Sequence, residues 1–258
     1  MNMNDKKQFA TEIFGIKFHF SQSKVIRERE IHDYHELLYY LDGNASLRTE
    51  TYSIKLKAHS LIFIPKGKYH FFSPENPESF TRLKISFSDG VVTDNLPASL
   101  FQQVKIIEEP DQTVRALFNS VISKLQTASS QKNPLYFYGA FLTSISGLSV
   151  GEEAQSENCY SQPILDCIEF IKDNLSGDLS IEELSKVVSF SPSALSHSFK
   201  TQTGVSIHSY VAQKRLIYAK SLLDLGEKPT EIFLKLGYKD YSSFYKAYKK
   251  MFGKSPKN

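Results

Sequence analysis

Along the first part of the chain, apolar and polar residues fall in a short-period pattern. Phe14 to Phe20 alternates, Glu36 to Leu41 is a dense run of Leu and Tyr, and Leu61 to Ile64 is a short apolar run ending at Pro65. Leu83, Ile85 and Phe87 alternate again. Asp42-Gly43-Asn44, Pro65-Lys66-Gly67, Pro74-Glu75-Asn76-Pro77 and Asp89-Gly90 separate these runs with residues suited to turn conformations. Many short strands at this spacing predict a β-barrel or jelly roll.

The period then lengthens. Val114, Leu117, Phe118, Val121, Ile122 and Leu125 recur at helical spacing, as do Leu135, Phe141, Leu142, Ile145 and Leu148. Two helices are expected here, packed on the barrel or on a second copy of the chain. Ser149 to Ser161 is polar and reads as an interdomain linker. Beyond it every segment reads as helical. Ile164, Leu165, Ile168, Ile171 and Leu175 form one stripe, closed by Gly177. Ser180-Ile181-Glu182-Glu183 has the form of a capping box. Pro192 and Pro229 open two further helices, a long one runs from about Ser206 to Leu225, and Asp240 caps the last, which runs to Met251. The expected fold class is α+β with two domains. A cupin or jelly-roll β-barrel with flanking helices occupies residues 1–148, a linker 149–161, and an all-α domain with two helix-turn-helix units 162–258.

Charge sharpens the division. The 258 residues carry a net +3. From Cys159 onward Lys and Arg number 14 against 10 Asp and Glu, whereas the preceding part has 17 against 18. Between Lys239 and Lys257 six lysines face Asp240 alone. A basic end on a near-neutral body suits a polyanion-binding module, or else a solvated lysine-rich helix. Two cysteines, Cys159 and Cys167, make no metal or disulfide framework and fit a reduced cytoplasmic location. Neither a signal peptide nor a membrane span is legible.

Ile181 to Val188, a turn at Ser189-Phe190-Ser191, and Pro192 to Gln202 form one helix-turn-helix. Pro229 to Leu236, a turn at Gly237-Tyr238-Lys239, and Asp240 to Met251 form the other. A helix fits the DNA major groove and presents one face to base edges. Leu195 and Phe199 share an inward face, leaving Ser193, Ser196, His197 and Lys200 outward. Phe244 and Tyr248 point inward in the second unit, leaving Tyr241, Ser242, Tyr245 and Lys246 outward. Ser193, Ser196, His197, Tyr241, Ser242, Tyr245 and Lys246 are the candidates for base readout. Lys200, Lys249, Lys250 and Lys254 are the candidates for phosphate contact. A plain helical bundle with a polar surface is the competing reading of the periodicity alone.

Residues 164–256 resemble the DNA-binding domain of the AraC/XylS family of transcription regulators. The resemblance rests on Ser180-Ile181-Glu182-Glu183-Leu184, Ser191-Pro192-Ser193-Ala194-Leu195-Ser196, Phe199-Lys200-Thr201-Gln202-Thr203-Gly204-Val205, Lys214-Arg215-Leu216, Leu236-Gly237-Tyr238, Tyr241-Ser242-Ser243-Phe244, Tyr248-Lys249-Lys250 and Gly253-Lys254-Ser255-Pro256. It implies that both second helices enter successive major grooves on one face of the duplex. The chain departs from the pattern at Ser185 (usually Ala), His197 (usually Arg) and Phe233 (usually small). Loss of Arg removes a fork-shaped donor to guanine or phosphate.

In the first domain Glu30, His32 and Glu36 read as one strand face, and His70 follows Pro65-Lys66-Gly67. These residues resemble the two cupin motifs, with Glu30 in place of the first His and with His59 where Gly is usual. Arg82 and Lys84 alternate with Leu83, Ile85 and Phe87 and are expected to face inward. Glu30, His32, Glu36, His70, Arg82 and Lys84 are thus the candidate effector site, for an acidic or polyhydroxylated small molecule; solvent exposure at a barrel rim is the competing reading. No cofactor is expected, and metal ligation by Glu30, His32, Glu36 and His70 is the alternative. The expected function is DNA-binding transcription regulation, without enzymatic activity, in response to a sugar or related metabolite. Double-stranded DNA, the effector, RNA polymerase and a second copy of the chain are the expected partners, and no membrane is involved. The rival functions are a metal-dependent cupin enzyme with a DNA-tethering tail and an effector-independent DNA-binding regulator.

Overall fold

The computed structural model describes residues 7–22, 31–74, 80–91, 98–127, 133–149, 157–158 and 160–256. The chain divides into two compact units, Met1–Glu157 and Asn158–Asn258. Glu30, Cys159 and most of the expected linker lie outside the described residues, as does the end of the Pro74–Pro77 turn.

The first unit contains two antiparallel sheets. The larger has strand order β1-β2-β8-β3-β6-β9, formed by Lys7–Ile13, Ile16–Gln22, Thr81–Phe87, His35–Asp42, Leu61–Ile64 and Lys105–Ile107 in that order. The smaller pairs Tyr52–Lys55, Ala45–Arg48 and Phe71–Pro74 in the order β5-β4-β7. Strand β3 is buried on both faces, which explains its uninterrupted Leu and Tyr run. Leu38 and Tyr40 join Leu47, Ile62, Ile64 and Phe72 in a core between the sheets. Leu37 and Tyr39 point the other way, into a core shared with α1 (Gln112–Gln126) and α2 (Pro134–Ser146). There Tyr39 stacks on Phe118 with centroids 4.5 Å apart, Phe18 meets Phe137 and Phe87 meets Phe141.

Three sequence expectations change in this unit. Phe14 is not within a strand: Phe14 (φ 50°) and Gly15 (φ 75°) turn the β1–β2 hairpin, whose first strand the alternation did not reveal. Leu135 and Leu142 leave the buried stripe of α2, being 74% and 42% exposed; Phe137, Ala140, Phe141, Ser144 and Ile145 make it instead. His32 precedes β3 and sits on no strand, so the expected strand face of Glu30, His32 and Glu36 does not exist as such.

Among its described residues the second unit has six helices: α3 Gln162–Asp173, α4 Ile181–Val187, α5 Pro192–Thr203, α6 Ile207–Asp224, α7 Pro229–Lys235 and α8 Tyr241–Phe252. Side-chain caps fix the starts of α4, α5, α6 and α8, whereas α3 and α7 begin with a proline in the first turn and no side-chain cap. Ser191 accepts from the Ala194 amide at 3.2 Å, Ser206 from Ser209 at 3.2 Å and Asp240 from Ser243 at 2.7 Å. Gly204 and Gly253, at φ 73° and 69°, close α5 and α8 in the left-handed conformation. The capping box is half formed: Ser180 Oγ accepts from the Glu183 amide, but the Ser180 amide donates to Asp178 Oδ1 at 2.8 Å. Asn174, rather than Gly177, caps the end of α3. No described helix is long and apolar enough to cross a membrane.

Phe118, on α1, is fully buried against Tyr39 of β3. Phe118→Ala is expected to lower the unfolding free energy of the first unit by about 3–5 kcal/mol, read from urea titration. A loss below about 1 kcal/mol would show that the helices are not part of its core.

Candidate functional site

Each helix-turn-helix has a one-sided second helix. In α5, Leu195 and Phe199 are fully buried, whereas Ser193, Ser196, His197 and Lys200 are exposed. In α8, Phe244 and Tyr248 are buried, whereas Ser242, Lys246, Lys249, Lys250 and, just beyond, Lys254 are exposed. Tyr241 and Tyr245 are half-buried. Tyr241 meets Phe233 edge-on at 5.9 Å and Phe244 at 6.1 Å, so it also packs α7 against α8. Phe233 is accommodated by this contact. Ser185, the other substitution in a support helix, is buried and donates its hydroxyl to the Ile181 carbonyl, which removes the cost of a hydroxyl at the helix crossing.

One residue of this unit was not singled out by sequence reasoning. Arg215, on α6, is its only arginine. Its Nε donates to the Leu175 carbonyl at 3.0 Å and its Nη2 to the Gly177 carbonyl at 2.7 Å, just ahead of α4. Its guanidinium also lies against Gly237 in the second turn, where a Cβ would come within 3.2 Å of Nη1. The planar fork thus joins the approach to the first helix-turn-helix with the turn of the second. The signal was available: a lone arginine in a lysine-rich domain has a task that lysine does not fill.

A second constellation lies inside the first unit. Glu36, the second residue of β3, is 1% exposed. His32 Nε2 stands 3.3 Å and His70 Nε2 3.5 Å from Glu36 Oε2, while Lys84 Nζ from β8 stands 2.9 Å from Oε1. Burial alone would raise the Glu36 pKa; positive charge on the imidazole side and at the Lys84 ammonium outweighs it and holds the carboxyl well below the usual range. His32 stacks on Tyr34, another residue the sequence did not single out, with centroids 4.0 Å apart. The Arg82 guanidinium lies over the rings of Phe80 at 5.0 Å and Phe72 at 5.6 Å. Thus His32, Glu36, His70 and Lys84 converge, and Arg82 reaches the same intersheet core by stacking. His59 is elsewhere: its φ of 70° explains why glycine suits this position, and its Nδ1 bonds the Tyr39 hydroxyl at 2.8 Å.

Neighbouring His35 shows how a buried imidazole is satisfied while neutral. Its Nδ1 accepts from the Lys66 amide at 3.2 Å, and its Nε2 faces Asp89 Oδ1 at 2.7 Å. Burial lowers its pKa, opposed by Asp89.

Two family models match the chain: an AraC-like ligand binding domain over residues 12–136 and a helix-turn-helix domain over residues 184–258. The chain belongs to the AraC family and is a DNA-binding transcription regulator with a ligand-binding domain, not an enzyme. It is 23% identical over 236 residues to the Msm operon regulatory protein of Streptococcus mutans, covering 88% of this chain and 84% of that one. The raffinose operon transcriptional regulatory protein RafR of Pediococcus pentosaceus is 22% identical over 249 residues, with 88% and 84% covered. The probable transcriptional regulator LumQ of Photobacterium leiognathi is 36% identical over 88 residues, 34% of this chain and 36% of that one.

Two outcomes follow from this geometry. Arg215→Ala and Arg215→Lys are both expected to destabilise the second unit of the full-length protein by about 2–4 kcal/mol, since charged donors to two carbonyls are lost or mispositioned. Chemical unfolding followed by a probe in that unit measures this, and an unchanged lysine variant would assign Arg215 only a charge role. In a proton NMR titration His35 is expected to have a midpoint below the roughly 6.5 of a free imidazole. Its stabilising contribution is then full above that pH and is lost as pH falls through the lowered folded value. A midpoint above 6.5 would mean that Asp89 outweighs burial.

Proposed function

We propose that Ser193, Ser196 and His197 on α5, with Tyr241, Ser242, Tyr245 and Lys246 on α8, read base edges in two successive major grooves. Lys200, Lys249, Lys250 and Lys254 contact phosphates on either side. The observation that carries this reading is the exposure of Ser193, Ser196, His197, Lys200, Ser242, Lys246, Lys249, Lys250 and Lys254, with Tyr241 and Tyr245 half-exposed beside them, opposite fully packed apolar stripes. With no arginine on either second helix, base discrimination falls to single donors and acceptors rather than bidentate forks.

Residues 1–148 bind the effector and pair two copies of the chain through α1 and α2. Residues 149–161 link them to the DNA-binding residues 162–258. The effector is a sugar or a related hydroxylated or acidic metabolite, held by His32, Glu36, His70, Lys84 and Arg82. A buried carboxylate, imidazoles and an ammonium supply the acceptors and donors that hydroxyl groups need. Relatives named for raffinose and arabinose operons favour the same class. Effector binding biases the placement of the two DNA-binding domains in the dimer, in the cytoplasm, and the bound regulator meets RNA polymerase at the promoter.

Lys246→Ala is expected to cost about 1–3 kcal/mol of affinity for a selected operator and little for random duplex. A uniform loss over all sequences, with a shallower salt dependence, would move Lys246 to the phosphate set. A panel of sugars and sugar acids is expected to include one that raises the melting temperature of the wild type and not of Lys84→Ala. If no member shifts either protein, the effector class is wrong.

A further inference from the structure

The arrangement around Glu36 has an unbalanced set of lone pairs. His32 Nδ1 lies 2.7 Å from the Tyr34 carbonyl and His70 Nδ1 3.1 Å from the Lys68 carbonyl. A carbonyl only accepts, so each Nδ1 carries a proton and donates. In a neutral imidazole Nε2 is then a lone pair. Both lone pairs point at Oε2 of an ionised carboxylate, and neither Nε2 has a hydrogen-bond partner although both are buried. Three acceptors thus face one another across 3.3 and 3.5 Å.

Protonating both imidazoles would turn each contact into a charge-assisted N–H···O bond, which closes to about 2.7–2.9 Å, whereas the two separations are 3.3 and 3.5 Å. Protonating one leaves the other Nε2 without a partner. A single cation between the three atoms satisfies all of them. Their ligand atoms lie within 4.8 Å of one another. Zinc held tetrahedrally at about 2.0–2.1 Å places its ligand atoms roughly 3.3–3.4 Å apart, which the two measured separations match. The backbone carbonyls behind each Nδ1 provide the outer hydrogen bonds that orient metal-binding histidines. Lys84 Nζ lies 2.9 Å from Oε1 rather than at Oε2, so the ammonium does not occupy the ligand position.

We infer that His32 Nε2, His70 Nε2 and Glu36 Oε2 bind one divalent transition-metal ion inside the first unit. Three protein ligands leave coordination positions open to a hydroxyl or carboxylate oxygen of a small molecule. The inference uses the same cluster as the proposed effector site and rests on that reading of it, but ion binding is a property of the effector-free protein, so one can fail while the other stands.

The test is a Co²⁺ titration of the full-length protein, first stripped with EDTA and dialysed, with no sugar present. One equivalent per chain is expected, with the visible absorption of a four- or five-coordinate ion, and Zn²⁺ is expected to displace it and raise the melting temperature. His32→Gln and His70→Gln are each expected to weaken Co²⁺ binding at least about tenfold. Should either variant fail to fold, nitrogen NMR of the wild-type imidazoles decides. Zn²⁺ is then expected to move Nε2 of His32 and His70 and leave His35 unchanged. No stoichiometric Co²⁺ in the wild type, equal binding by folded variants, or imidazole shifts confined to other histidines would overturn the proposal. A sugar-induced melting shift that persists in EDTA would leave the effector reading standing without the ion.

Discussion

A helix that must both hold its domain together and touch another molecule has only one face for each task. This constraint governs the C-terminal unit. Leu195 and Phe199 commit one side of α5 to the core, and Phe244 and Tyr248 do the same for α8. What remains outward is polar and, on α8, rich in lysine. The caps at Ser191 and Asp240 fix where each helix begins, and therefore which residues stand at its exposed first turn. Arg215 adds a tie between the two helix-turn-helix motifs, bonding carbonyls ahead of one and lying against the glycine turn of the other. Groove spacing requires the two second helices to be held in a set relation, and a rigid fork serves this better than a flexible ammonium.

The first unit solves a different problem. Its central strand β3 is buried on both faces, and one face carries a carboxylate. Glu36 is tolerated there because Lys84, His32 and His70 surround it. On the other face Leu37 and Tyr39 pack against helices, and Tyr39 anchors Phe118. A single strand thus couples the polar cluster to the helical layer. A ligand that alters the cluster has a short packed route to α1 and α2.

Much of this was legible in the sequence where a local signal existed. Apolar periodicity located α1 and the helices of the C-terminal unit. Pro192, Pro229 and the capping residues Ser180 and Asp240 marked helix starts; the caps at Ser191 and Ser206, which accept from amides three positions ahead, emerged only in the structure. The hairpin of β1 and β2 was not legible: Phe14, an aromatic in a left-handed turn, continues the alternating pattern and hides the reversal. Leu135 and Leu142 were misassigned because α2 is apolar nearly all round, so periodicity alone does not name its buried face. In the candidate site, Glu36, His32, His70 and Lys84 were found by motif spacing and strand alternation, although His32 arrives from a bend rather than a strand. The role of Arg215 was missed because its partners are set by tertiary approach: it reaches carbonyls roughly forty residues earlier in the chain. Tyr34 was missed because its stacking on His32 depends on a bend ahead of β3 that no periodic pattern marks.

The account stands on the outward faces of α5 and α8 meeting duplex DNA together. The most direct measurement is the affinity of the full-length protein for a selected operator as a function of salt, repeated with the lysines at 200, 246, 249 and 250 replaced by alanine one at a time. The account predicts a steep fall of log affinity with log salt and a shallower slope for each phosphate-contacting lysine removed. Salt-independent affinity, or slopes unchanged by every substitution, would contradict it.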